Sequence, residues 1–176
     1  RLVRDWSSDV CSSDLVTLTG TTVPSWATFT ASTGVLAGTP DNDDVGDHSV
    51  VITASDGTAS VTDSFTIAVT NTNDAPTITS TAVTSATEDA AYTYTVTAAD
   101  VDSGDTITLT GTTVPGWATF TASTGVLAGT PLNANVGANS VVITASDGNG
   151  GSVTDTFTIT VVNANDAPTI TSTAVT

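Results

Sequence analysis

Side chains bearing oxygen recur in this sequence at a few fixed places. Asn71, Asn73 and Asp74 stand in a short run closed by Pro76, and the run returns as Asn163, Asn165 and Asp166 before Pro168. Asp100, Asp102 and Asp105 fall within six residues, Asp147 precedes a glycine, and Asp41, Asp43, Asp44 and Asp47 form a further group. No Lys or Arg follows Arg4, so no basic side chain beyond that point can neutralise these carboxylates. Two carboxylates about 5 Å apart repel by roughly 3 kcal/mol at an effective dielectric near 20. A divalent cation relieves that repulsion. Hard oxygen donors on flexible Asn/Asp-rich chain suit Ca²⁺, which takes 6–8 oxygens, whereas Mg²⁺ wants a tighter octahedron and Zn²⁺ prefers nitrogen and sulfur. The competing reading is that Asp and Asn simply populate turns on a solvated acidic surface. Spacing alone leaves both open.

The elements that must position these groups are strands. Tyr92, Tyr94, Val96 and Ala98 alternate with threonines, as do Val153, Phe157, Ile159 and Val161, and no segment of useful length shows helical spacing. Gly, Pro and Asp punctuate every 8–12 residues, which predicts an all-β sandwich. The sequence also repeats. Leu18 to Pro40 returns as Leu109 to Pro131 at an offset of 91 with only Ser25 changed, to Gly116, and the Asn/Asp runs are offset by 92. That period is too long for a solenoid and fits beads on a string. The expected organisation is a truncated module over 16–73, a complete module over 74–165, and the start of a third over 166–176. In the complete module strands are expected at about 77–83, 90–98, 106–112, 117–121, 126–130, 139–146 and 153–162. The first copy begins near Val16 and lacks counterparts of the first two.

Strand direction then sorts the acidic residues. The loop with Asp100, Asp102 and Asp105, the loop with Asp147, and the incoming Asn71, Asn73 and Asp74 belong to one end of the complete module. The loop carrying Asp41 to Asp47 belongs to the exit end of the first. The geometry to look for is Asp74, Asp102 and Asp147 with oxygens within about 5 Å of one another.

The formal net charge is −16, from 18 acidic and 2 basic residues. Nucleic acid and anionic membrane surfaces are excluded as partners, because nothing here neutralises phosphate. An apolar fraction of 39% in strong alternation separates the chain from acidic disorder. Arg1, Arg4 and Cys11 all lie in residues 1–15, which have no counterpart in the second copy. Asp5 to Leu15 resembles the translation of a sequencing-adapter oligonucleotide. Residues 1–15 are therefore set aside as a non-native segment.

From residue 16 onward the sequence resembles bacterial cadherin-like repeats, the dystroglycan-type cadherin-like and "Putative Ig" families of large surface adhesins. The strings that carry this are Thr87-Glu88-Asp89, Ala99-Asp100-Val101-Asp102, Trp117-Ala118-Thr119-Phe120, Gly125 to Pro131, Ala145-Ser146-Asp147-Gly148 and Asn163 to Pro168. The resemblance implies tandem Ig/cadherin-like Greek-key β-sandwich modules joined by an Asn/Asp linker, with Ca²⁺ between modules. It implies metal ligands at Asn73, Asp74, Asp100, Asp102 and Asp147, and at Glu88, Asn165 and Asp166 for the following joint. The family's acidic motif before the sixth strand is replaced by Asp41 to Asp47 in one copy and by Leu132 to Asn135 in the other, which implies fewer or weaker ions.

Catalysis finds little footing. His48 is the only histidine and becomes Asn139 in the other copy, so no Ser/His/Asp or Cys/His set can be built. The repeated Trp26 and Trp117 read as core residues, with a sugar-stacking platform as the alternative. The expectation is a non-catalytic structural or adhesive repeat, extracellular or on a bacterial surface, whose partners are neighbouring modules. The alternative is a carbohydrate- or protein-binding Ig-like module. No contact with nucleic acid or membrane is expected.

Overall fold

The computed structural model describes residues 16–172, and the adapter-like segment 1–15 lies outside them. The chain divides into two compact units after Thr72.

The first unit holds five strands: β1 (Thr17–Thr22), β2 (Ala27–Thr30), β3 (Val35–Gly38), β4 (Gly46–Ser55) and β5 (Ser60–Val69). One sheet has the order β1-β4-β5, and β2 and β3 form a separate antiparallel pair. Asp41 opens a single 3-10 turn, Asn42–Asp44, before β4. Val50 is the one hydrophobic side chain of this unit that is fully buried among the described residues.

The second unit holds nine strands. They are β6 (Thr77–Ile78), β7 (Ser85–Thr87), β8 (Tyr92–Thr95), β9 (Ala98–Ala99), β10 (Thr108–Thr113), β11 (Ala118–Thr121), β12 (Val126–Gly129), β13 (Gly137–Ser146) and β14 (Ser152–Val162). One face is a four-stranded sheet, β10-β13-β14-β7, and the other is β11-β12-β8. Buried and exposed residues alternate along β8 and β13, as a half-buried strand requires. Tyr94, Val96, Leu127, Val141, Ile143 and Ile159 meet between the sheets, with Trp117 and Phe120 packed against them. Thus the core predicted from alternation forms in the second unit, with the threonines facing water.

Two predicted strands differ from the structure. Of the segment expected over 77–83 only β6 forms a strand, and β7 follows beyond it. β6 pairs antiparallel with β9, and the chain then crosses so that β7 pairs in parallel with β14. The strand expected over 90–98 is likewise divided into β8 and β9. Ser80 and Thr97 mark the break: Thr79 and Ser80 both donate backbone N–H to Thr97 O, and Ser80 Oγ accepts the Thr97 N–H at 3.0 Å. Period two reports which side chains face inward and is silent on which sheet a strand joins. A bulge between Gly111 and Thr113 bends β10, and a Cβ at Gly111 would lie 2.8 Å from Val114 Cγ2, so the packing itself demands glycine.

Candidate metal centre

The first cluster lies wholly within the second unit. The turn between β13 and β14 carries Asp147, whose side chain is 3% exposed. Its Oδ1 accepts the backbone N–H of Asn149 at 2.7 Å and of Gly151 at 3.0 Å. Its Oδ2 accepts the Asn73 side-chain amide at 2.9 Å. The Asn73 bond first, with the turn N–H groups in support, holds the Asp147 carboxyl below the usual carboxylate range against the opposing effect of burial. Gly151 is sterically required: a Cβ there would overlap Asp147 Oδ2 and sit 2.8 Å from Ala75 Cα.

The loop after β9 supplies the other members. Asp102 donates its N–H to Asp100 Oδ1 at 3.0 Å, an Asx-type turn that fixes both carboxylates. Asp102 Oδ2 accepts the Asp74 backbone N–H at 2.6 Å. Asp105 Oδ1 accepts the Asn149 side-chain amide at 2.8 Å. The remaining oxygens, Asp100 Oδ2, Asp102 Oδ1 and Asp105 Oδ2, are buried with no hydrogen-bond partner. Asp100, Asp105 and Asp147 each offer an oxygen, all within 4.8 Å of one another. An unpaired buried carboxylate oxygen is costly, and Asp100 and Asp105, each with one such oxygen, cluster with the Asp147 carboxylate with no basic residue among the three, a donor set that fits a hard cation.

The second cluster is at the opposite end of the same sandwich. Glu88 is 2% exposed, its Oε2 accepts the Ala164 N–H at 3.1 Å, and its Oε1 has no partner. Asp89 adopts φ 59, a left-handed conformation that Asp tolerates better than most residues, and its N–H donates to Pro131 O at 2.8 Å. Glu88, Asp89 and Asp166 offer oxygens within 4.8 Å of one another.

The structure therefore brings together most of the sequence-expected residues, but in a different arrangement. The clustered oxygens at the first site belong to Asp100, Asp105 and Asp147 rather than to Asp74, Asp102 and Asp147. Asp74 contributes a backbone N–H to Asp102. Asn73 orients Asp147. Asn165 turns its amide onto the Asp166 carbonyl at 3.3 Å. Asp105 and Asp89 were outside the predicted ligand set. Asp105 stood in the right loop, and Asp89 stood next to Glu88 in the Thr87-Glu88-Asp89 string. In the first unit, Asp41 Oδ1 accepts the Asp43 N–H and Asp44 Oδ2 accepts the Asp41 N–H, both at 3.0 Å, so these two carboxylates cap a turn. Asp56, at the position of Asp147, is exposed and caps its turn through Thr58 and Ala59.

Neither aromatic candidate forms a platform. Trp117 Nε1 donates to Asn139 Oδ1 at 3.0 Å, and its ring meets Tyr92 edge-on at 5.6 Å. His48 Nε2 lies 2.6 Å from Asp44 O, and its ring meets Trp26 edge-on at 5.7 Å, a structural role.

Comparison with known proteins agrees with this architecture. A family model described as "Putative Ig domain" matches residues 5–70 and 75–162, the first match beginning inside the segment set aside above. The cadherin repeats EC1-2 of human protocadherin-24 superpose with TM-score 0.54 at 20% identity, covering 85% of this chain and 83% of that one. Repeats EC1-4 of PcdhgB3 give TM-score 0.60 at 19% identity, covering 85% and 41%. An endo-fucoidan hydrolase, MfFcnA4 of glycoside hydrolase family 107, is 30% identical over 86% of this chain with TM-score 0.46, and the chain spans only 24% of its length. No curated protein matches. The two family matches fall one on each unit, the folded sandwich is cadherin-like, and the chain belongs to this Ig-like family.

Proposed function

We propose that this chain is a non-catalytic repeat of a large extracellular or bacterial surface protein, in which Ca²⁺ stiffens the succession of modules. The observation that carries the reading is that Asp100 and Asp105, each with a buried oxygen that has no partner, cluster with the Asn73-oriented carboxylate of Asp147. Asn73 and Asp74 follow closely on β5, so an ion held here also fixes the segment leading from one sandwich into the next. Glu88, Asp89 and Asp166 would serve the following joint in the same way. No helix among the described residues is long and apolar enough to cross a membrane. The ligands' side chains reach the ion from rigid strand ends and tight turns, and the protein performs no bond-making step. Extracellular calcium modules bind at about 10⁻⁴–10⁻³ M. At about ten times Kd one such site adds only about 1.4 kcal/mol, so the ion sets geometry more than it sets folding.

Small-angle scattering with calcium and then with chelator tests the reading. The expected result is a longer, narrower distance distribution with calcium and an accompanying rise in melting temperature. Unchanged dimensions together with unchanged melting would refute it.

A further inference from the structure

The turn between β13 and β14 is one residue longer than the turn between β4 and β5. Asp147-Gly148-Asn149-Gly150-Gly151 stands where the first unit has Asp56-Gly57-Thr58-Ala59. The longer turn brings in Asn149, the only asparagine of the sequence that is followed by glycine. Its side-chain amide donates to Asp105 Oδ1 at 2.8 Å, and its backbone N–H donates to Asp147 Oδ1 at 2.7 Å. Asn149 is thus hydrogen-bonded to two of the three carboxylates that cluster with Asp100, while contributing no charge of its own.

Asn149 and Gly150 are both exposed. Gly150 has φ 111, and a Cβ placed on it would meet nothing within 4 Å. A glycine carries no side chain to screen its own backbone nitrogen from the residue before it. Cyclisation of asparagine needs that access. The Gly150 nitrogen attacks Asn149 Cγ, and the new C–N bond closes a five-membered succinimide. The Gly150 amide proton leaves with the side-chain nitrogen as ammonia. Water then opens the ring at one carbonyl or the other, giving aspartate or isoaspartate. Water is the only co-reactant, and nothing is oxidised or reduced.

We propose that Asn149 is a site of spontaneous deamidation, and that the aspartate so formed adds a fourth carboxylate to the cluster of Asp100, Asp105 and Asp147. The inference rests on the calcium reading of that cluster. An oxygen takes the place of Asn149 Nδ2 beside Asp105 Oδ1, so a hydrogen bond becomes a contact between two carboxylates. Without a cation that contact is repulsive. With one it supplies a further hard donor, and calcium affinity is tuned by the charge of the ligand set. Isoaspartate instead lengthens the main chain by one atom, inside the turn whose N–H groups hold Asp147, and loosens the site. Loss of ammonia is irreversible, so the affinity of this site changes with the age of the molecule. Thr58, at the same place in the first unit, has no amide to lose.

The test ages the full chain in warm, mildly alkaline buffer and maps its peptides by mass spectrometry. Trypsin has no site beyond Arg4, so chymotrypsin cuts the chain. Asn149 should gain about 1 Da at least about tenfold faster than Asn73 or Asn163, whose following residues carry side chains. Asn149→Asp in the full chain, titrated with calcium by calorimetry, should bind at least about threefold more tightly than the parent and melt lower in chelator. If that variant does not fold, the aspartate form separated from the aged chain by anion exchange is titrated in its place. Deamidation at Asn149 no faster than at the other asparagines overturns the proposal. So do saturable but equal calcium affinities of the two forms, an outcome that leaves the calcium reading standing. Binding by neither form overturns both.

Discussion

The Asn73 side-chain amide donates to Asp147 Oδ2 at 2.9 Å, tying the segment before β6 to the turn between β13 and β14. This bond is the leading cause of the lowered Asp147 pKa. A carboxyl whose folded pKa lies below its unfolded value contributes stability above the unfolded value, and that stability is lost as pH falls through the folded one. In Asn73→Ala the Asp147 carboxyl should titrate at higher pH, and acid unfolding of the second unit should begin at higher pH. Carbon-detected NMR titration of the carboxyl group reads the first, and circular dichroism between about pH 5 and pH 1 reads the second.

Glu88 separates the cost of a buried charge from the gain of a bound ion. Its Oε1 is buried and unpartnered, while Oε2 holds the Ala164 N–H. Glu88→Gln keeps the shape and an acceptor for Ala164 but removes the charge. Without calcium the variant should be more stable by about 1 kcal/mol, because breaking hydration around a carboxylate costs more than around an amide. The calcium-dependent rise in melting at that end should shrink. Calorimetric scans with chelator and with millimolar calcium distinguish the two signs.

Gly151 tests whether the first site depends on close backbone approach. A Cβ there would overlap Asp147 Oδ2 and press on Ala75 Cα, which belongs to backbone and moves reluctantly. Gly151→Ala should cost about 1–3 kcal/mol by overpacking and weaken calcium binding through displacement of Asp147. Gly150→Ala is a poor substitute as a control because Gly150 sits at φ 111. Gly116→Ala, with open space at its Cβ, should leave calcium binding unchanged in the same titration.

Much of this was legible in the residue pattern. Tyr92, Tyr94 and Val96 announce the inward face of a strand by alternation alone, and they fill the core. Asp100, Asp102 and Asp147 announce turns, because Asp prefers positions where it can accept backbone N–H groups. Alternation could not reveal the sheet switch at Ser80–Thr84, since pairing partners lie far away in sequence. Nor could spacing choose which carboxylates meet. Asp105 in the cluster also holds the amide of Asn149, 44 residues away, and Asp89 in the other has a left-handed backbone. Such contacts follow from loop closure in three dimensions, on which local sequence is silent.

Tyr92 gives an alkaline signature. Burial, with the neighbouring Tyr94 second, pushes its phenol up to about 12, and the hydroxyl donates to Val83 O at 2.7 Å. A raised folded pKa means the stability is fully present below the unfolded value near 10 and is lost as pH rises toward about 12. Tyr92→Phe should lose about 1 kcal/mol at pH 7 with the hydrogen bond, and should flatten the decline between pH 10 and pH 12. Urea denaturation across that range checks both.

Leu36 and Leu127 occupy the same repeat position on β3 and β12, yet only Leu127 is fully buried, and it has β8 paired beside it with Tyr94 opposite. Truncating a fully buried leucine removes its transfer energy and leaves a cavity, at about 2–5 kcal/mol. A half-exposed leucine has already lost part of that energy to water and leaves an open dent. Leu127→Ala should therefore cost about 2–5 kcal/mol in the second unit, and Leu36→Ala less than half as much in the first. Native-state hydrogen exchange reads the amides of β13 and β4 separately, so each cost is assigned to its own sandwich. Equal costs would mean that Leu36 is covered in solution.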